Sequence, residues 1–326
     1  MQMMKMTKAA FVAAAIAASG ATMVQADGHQ VVDSIHFLVP GGAGGGWDGT
    51  ARGTGEALTE SGLVGSATYE NMSGGGGGLA IAHLIETNDP GVMMVNSTPI
   101  VIRSLQGVFP QSFRDLTPVA GTIGDYAAMV VHSDSEITDF AQLLEMFEAD
   151  PTALNIGGGS VEGGMDHLVA AMVFQAAGGN PTDVKYIPYD AGGEAMAGLL
   201  TGEIQALSTG FSEAIALANQ GEVRILCVTA AERVDAAADV PTCAEAGAEG
   251  MEFVNWRGFF AAPGISDEQV NAYRDALEAM YETEAWTAVR DRNGWVEIWN
   301  RGEDFNAFLE NQEQVIGDLM RDLGFL

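Results

Sequence analysis

The sequence predicts an α/β protein built as two doubly wound lobes hinged across a cleft. Three observations lead there. Short apolar strand-like runs alternate with amphipathic helical stretches along the chain. Glycine-dense turns recur where those runs hand over to helices. About 300 residues follow a leader-like N-terminus, a length that ordinarily divides into two domains.

The leader comes first. Residues 1–8 carry Lys5, Lys8 and no acid, and residues 9–18 are apolar but too short to span a bilayer. Val24-Gln25-Ala26 puts small or branched residues at a cleavage position, so residues 1–26 read as a signal peptide and the mature chain starts at Asp27 in the periplasm. No cysteine follows the apolar run to take a lipid anchor, and no later stretch offers 18 uninterrupted apolar residues, so a soluble monomer is expected.

Within the mature chain, strands are expected over 35–39, 66–70 and 92–96, with helices over 50–59 and 79–86 between them. A second unit opens with a strand over 127–132 and a helix over 139–148 that Thr138 can cap. A strand over 154–156 leads to a long helix over 164–177, which Gly178 and Gly179 stop. Strands over 185–188, 204–208 and 224–229 follow, with helices opened by Gly193 and by Ser212 as cap. The tail is helical: Ser266-Asp-Glu-Gln269 is a capping box before a helix over 270–281, and a last helix covers 304–323. Tails of this kind pack back on the first unit. The chain therefore crosses twice, near 122–126 and 252–258, giving one lobe of 27–123 plus 258–326 and a second of 124–257. Two crossings make a hinge.

Charge excludes one class of partner. Lys5 and Lys8 are two of 14 basic residues, so 12 remain in the mature chain against 44 acids, a net charge near −32. Such a chain does not grip nucleic acid through phosphates. Cys227 and Cys243 are the two cysteines; in an oxidising compartment a disulfide would close a loop of roughly 15 residues, worth about 3 kcal/mol, the alternative being two inert buried thiols.

Glycine is costly in an ordered chain, and its density at strand-to-helix turns points to close backbone approach, with several N–H groups aimed at one anion. The loops are Gly41-Gly-Ala-Gly-Gly-Gly-Trp-Asp48, Ser73-Gly-Gly-Gly-Gly-Gly78, Gly157-Gly-Gly-Ser160 through Gly164, and Asp190-Ala-Gly-Gly193. A rival reading uses Gly44, Gly46 and Gly49 as a G-x-G-x-x-G dinucleotide fingerprint with Glu70 as the ribose acid. Against it, the first of these glycines lies five residues past the strand end, and Trp47 is bulky where a pyrophosphate must approach. Ser160 sits in Gly158-Gly-Ser-Val-Glu162, without the second glycine of a nucleophile elbow. Five scattered histidines have no metal-ligand spacing. Neither an enzyme nor a cofactor is expected.

Several segments together resemble the substrate-binding proteins of the tripartite tricarboxylate transporters. They are Val39-Pro-Gly-Gly-Ala-Gly-Gly-Gly-Trp-Asp-Gly-Thr-Ala-Arg52; Gly157-Gly-Gly-Ser160 with His167-Leu168; Tyr186-Ile-Pro-Tyr189 with Gly192-Gly193-Glu194; Arg233 with Val240-Pro-Thr242 and Glu245-Ala-Gly247; and Trp256, Gly258 and Ala262-Pro-Gly264. The likeness runs from about residue 31 to the C-terminus. It implies a type II periplasmic-binding-protein fold, a small di- or tricarboxylate such as citrate held between the lobes, and delivery to integral membrane subunits of a secondary transporter. A receptor that presents its ligand to a membrane sensor kinase would carry the same sequence features. Gln205 stands where many relatives have Asp, which bears on ligand choice. The expected ligand-binding set is Gly42, Ala43, Gly44, Gly45, Gly46, Trp47, Asp48, Thr50, Gly75, Gly158, Gly159, Ser160, Gly163, Gly164, Tyr189, Gly192, Thr209 and Ser212.

Overall fold

The structure is a computed structural model that describes residues 30–326; the expected leader peptide over 1–26 lies outside the described residues. The first lobe starts with β1 (Val32–Val39), α1 (Gly46–Glu60), β2 (Val64–Asn71), α2 (Gly78–Thr87), β3 (Val92–Ser97) and α3 (Thr98–Leu105). β1 pairs in parallel with both β2 and β3. β4 (Thr117–His132) then carries the chain into the second lobe, made of α4 (Phe140–Ala149), β5 (Ile156–Gly158), α5 (Met165–Ala176), β6 (Tyr186–Pro188), α6 (Gly192–Leu200), β7 (Ala206–Gly210), α7 (Phe211–Asn219) and β8 (Val223–Val228). β9 (Val254–Ala261) returns, followed by α8 (Asp267–Tyr281), α9 (Glu284–Asn293), β10 (Val296–Arg301) and α10 (Glu303–Asp322).

The strands run β2-β1-β3-β9-β4-β7-β5-β6, with β8 and β10 also paired to β4. β4 is the shared spine. Its first half pairs antiparallel with β9 and β10, and its second half with β7 and β8. The expected strand over 127–132 is thus only the distal half of a strand of 16 residues. Of the two segments where the chain was expected to cross, 122–126 lies in β4, and 252–258 runs into β9, which begins at Val254. Glycine is required where these strands crowd: a Cβ on Gly258 would lie 2.5 Å from the Phe305 ring and 2.7 Å from the Ala120 carbonyl oxygen.

Each lobe is covered on both faces. In the first, Ile35, Phe37 and Val39 face Tyr273, Leu277 and Trp286 of α8 and α9, while Leu38 and Met94 face α2, α3 and α10. In the second, Met129 and Val131 face α5, and Val130 and Leu207 face α6 and α7. Cys227 and Cys243 form a disulfide that ties β8 to the loop behind it, where the Cys243 N–H donates to Val228 O at 2.7 Å.

Several local expectations need correction. α1 begins at Gly46, a turn ahead of Thr50, behind an extended Gly45 and with no side-chain cap. Asp139, not Thr138, caps α4, accepting the Gln142 N–H. Ser212 is inside α7 instead of capping it; its N–H and hydroxyl both go to Asp125. α3, α9 and β10 were not expected. α3 is short and buries Ile100, Val101 and Ile102 in succession, so no amphipathic period marks it. β10 is half-exposed and lies between two helices. Among the described residues no helix is long and apolar enough to cross a membrane.

Candidate functional site

The carboxyl ends of β1, β3, β5 and β6 meet between the lobes and enclose about 770 Å³ of space, the solvent-open mouth included. Gly42, Gly45, Gly46, Trp47, Gly159, Ser160, Gly164 and Gly192 of the expected set line it. The first loop is held from behind. Asn71 donates to Gly41 O at 2.9 Å and to Asp48 Oδ1 at 3.1 Å, and Asp48 also accepts Gly44 N at 3.0 Å and Arg52 Nε at 2.9 Å. Burial pushes the Asp48 carboxyl up, but these donors outweigh it and hold the group below the usual carboxylate range. Trp47 forms a wall, its indole N–H fixed on Ser97 Oγ at 2.8 Å.

Much of the glycine serves contact between the lobes. A Cβ on Gly42 would sit 2.9 Å from the Ala191 Cβ and one on Gly193 would sit 2.8 Å from Ala43 O; within the second lobe, one on Gly159 would sit 2.1 Å from the Gly192 nitrogen. Only bare backbone allows the first-lobe loop to lie this close to the 190–193 turn.

The cleft is ringed by helix starts. The residues that precede α1, α2, α3, α5 and α6 are Gly45, Gly77, Ser97, Gly164 and Ala191; all five line the cleft, and none makes a side-chain cap. First-turn N–H groups have no partner within their own helix; Leu79 donates instead to Gly74 O, Thr98 to Asn255 Oδ1 and Asp166 to Ser160 Oγ, and the remaining donors leave positive dipole ends facing the cavity.

The remaining expected residues lie behind this surface or at its rim. Ala43 and Gly44 touch Gly193, and Gly44 takes a positive φ of 77°. Asp48 anchors the loop. Thr50 donates to Gly46 O and accepts from Arg257. A Cβ on Gly75 would meet nothing within 4 Å, and Gly158 backs onto Tyr186 and Asp166. Gly163 donates its N–H to His167 Nδ1 and accepts from Gln106. The Tyr189 ring packs under Gly157 and Gly198, Thr209 is buried in β7, and Ser212 serves Asp125. The rival fingerprint fails on geometry. Its third glycine should permit close helix–strand packing, yet Gly49 faces open space, and Gly46 is needed for the Arg257 guanidinium, 2.2 Å from a Cβ.

Five charged residues of the cleft lay outside the expected set, one of them the exposed Asp190 of the 190–193 turn. Arg257 is 2 % exposed and donates to Gly46 O at 2.7 Å, Thr50 Oγ1 at 2.9 Å and Asp125 Oδ2 at 2.5 Å. Asp125 in turn accepts from Ser212, so one buried network ties the start of α1 to the start of α7 across both crossing strands. Asp166 and Glu213 line the second-lobe wall, where burial, and for Asp166 the neighbouring Glu213, push the carboxyls up; Asp166 reaches about 8 and is mostly protonated at neutral pH. Arg103 completes the set; it is the lone charge in α3, and that isolation within an apolar run was the available signal.

A profile of the tripartite tricarboxylate transporter family receptor matches residues 52–325. The chain belongs to that receptor family. A UPF0065 protein of Bordetella pertussis is 24 % identical over 294 residues, covering 89 % of each chain. Among solved structures, the periplasmic binding protein BugD superposes with a TM-score of 0.81 at 20 % identity, covering 90 % of this chain and 98 % of its own. A Rhodopseudomonas palustris protein solved with adipate gives 0.81 at 21 %, covering 90 % and 97 %. MatC of the same organism, solved with bound malate, gives 0.77 at 20 %, covering 88 % and 98 %. These likenesses place the receptor in the two-lobed periplasmic binding protein fold.

Proposed function

We propose that this receptor captures a small di- or tricarboxylate in the periplasm, between a lobe of residues 27–123 plus 258–326 and a lobe of 124–257, and delivers it to integral membrane transporter subunits without chemical turnover. The observation that carries the reading is the ring of five uncapped helix starts around one cleft. Backbone donors of this kind hold an anion in a strongly acidic protein without needing a cluster of cations. Relatives of the same fold solved with malate and adipate fit the ligand class. Contacts across the lobes, from Gln106 Nε2 to Gly163 O at 3.0 Å and between Gly45 and Gly192, describe the closed arrangement such capture needs.

The test is a thermal-shift panel of malate, adipate, citrate and NADH on the mature chain, repeated after unfolding and refolding to strip any carried ligand. A carboxylate at 100 times its Kd adds about 2.7 kcal/mol and raises the midpoint by several degrees. A shift with NADH alone would overturn the reading in favour of a dinucleotide site.

A further inference from the structure

We propose that Arg103 selects ligands with two carboxylates, taking the second while the helix starts hold the first; this rests on the cleft being a carboxylate site. The Arg103 side chain leaves the last turn of α3 and lines the cleft with 4 % of its surface exposed. Its guanidinium lies between glycine loops of the two lobes: a Cβ on Gly76 would be 3.0 Å from Nε, and one on Gly164 3.0 Å from Nη2.

What surrounds it is incomplete. Nη1 donates to Gln106 Oε1 at 2.6 Å and Nη2 to Glu162 O at 3.3 Å. Of the five N–H groups of a guanidinium, the other three have no acceptor among the described residues, and no carboxylate lies within ion-pair distance. Arg257, equally buried, has Asp125. Arg224 also lacks an acid, but three backbone carbonyls, of Ser133, Ser135 and Ile137, take its donors. Burial draws Arg103 below the usual arginine range, and Tyr186 is the one group that offsets it. A buried cation in this condition is costly unless something anionic arrives, and a planar fork fits a carboxylate with two parallel hydrogen bonds.

The acids of the cleft are matched to the other cation. Arg257 offsets the burial of both Asp166 and Glu213, and neither acid is ion-paired with Arg103. A carboxylate at Arg103 would join the first-lobe helix α3 to the second-lobe loop that already accepts from it through Glu162 O. Ligand length is then set by the distance from Arg103 to the starts of α1 and α6, since the α5 start at Gly164 lies against the guanidinium itself.

The experiment is calorimetry at pH 7 on the mature chain and on Arg103→Gln. The tightest binder among malate, adipate and citrate is compared with its own form methylated at one carboxylate. The unaltered protein is expected to prefer the free acid over every singly methylated form by roughly 30-fold or more, and Arg103→Gln to shrink that preference to about threefold with ester affinity little changed. Equal affinity of the unaltered protein for acid and ester overturns the inference with no variant needed, as does an Arg103→Gln protein that keeps the full preference. Should Arg103→Gln fail to fold, Arg103→Lys, which keeps the charge and loses the fork, is expected to show a reduced preference, and an undiminished one overturns the inference. Absence of binding by any carboxylate to the unaltered protein sinks the proposed function itself, a result distinct from loss of discrimination.

Discussion

Five helices that begin in the cleft and three that begin on the outer surface start in opposite ways; α10, away from the cleft, opens on Gly302 with no side-chain cap. Outside, Asp139, Ser266 and Thr283 each accept a first-turn N–H from Gln142, Gln269 and Trp286. Inside, Gly45, Gly77, Gly164 and Ala191 have no side chain able to do so, and Ser97 has its hydroxyl taken by Trp47. A side-chain cap is worth about 1 kcal/mol, so five omitted caps forgo stability at the place where the lobes meet. The difference teaches that the cleft is arranged to leave donors over, and that a stretch can be poor in stabilising contacts because its hydrogen bonds are kept for a ligand.

The strongest way to break the comparison is to block the approach of the two loops. Gly42→Val places a side chain against the Ala191 Cβ of the other lobe, and carboxylate affinity should fall by about 100-fold or more, about 2.7 kcal/mol, with no ligand-induced compaction in small-angle scattering. Unchanged binding would mean that the lobes need not close as described. Next in size, Ala191→Ser gives α6 a cap it lacks. Its backbone is already extended, with φ −154° and ψ 163°, so stability should rise by about 0.5–1 kcal/mol while affinity falls roughly tenfold, since the new hydroxyl competes for the same N–H groups. A gain in both would show that the bare start is not reserved.

Smaller effects follow from the acid end of the cleft. The Asp166 carboxyl, pushed up to about 8 from 3.8, keeps its proton when the unfolded chain has lost it. The unfolded state therefore binds fewer protons between those values, and this group's contribution to stability declines as pH rises through that window. An anion bound nearby favours the protonated form, so carboxylate affinity should drop as pH climbs past 8, and Asp166→Asn should flatten the profile. A profile identical in both proteins would remove Asp166 from the site. Glu213, Ser160, the Gly159 N–H and Arg257 face the same group and set its balance. The smallest effect sharpens the outer half of the comparison: Thr283→Ala should cost about 1 kcal/mol of stability in denaturant unfolding and leave ligand affinity alone.

The alternation of strands and helices and the glycine loops were legible in the chain because each has a local signature: an apolar run, a turn, a cap. β10 and α3 were not, since one is a half-exposed strand set among helices and the other is buried too evenly to show a period. For the site, the loops were readable and their side chains were not. Asp48 and Thr50 looked like ligand contacts, yet Asp48 is consumed by Gly44, Arg52 and Asn71, and Thr50 by Gly46 and Arg257. Arg103, Asp166 and Glu213 come into the cleft from separate elements, α3, α5 and α7, and only the folded topology brings them together. Ser212 was expected to cap a helix and instead serves Asp125, 87 residues away.

Hydrogen exchange reads the unshared N–H groups at the cleft directly. Amide exchange of the mature chain is compared with and without whichever of malate, adipate or citrate calorimetry shows to bind. The expected result is added protection at the first turns of α1, α5 and α6, with no change at those of α4, α8 and α9. Protection spread equally over both classes, or absent from the cleft starts while the ligand is bound, would contradict the claim that the bare helix starts are the binding surface.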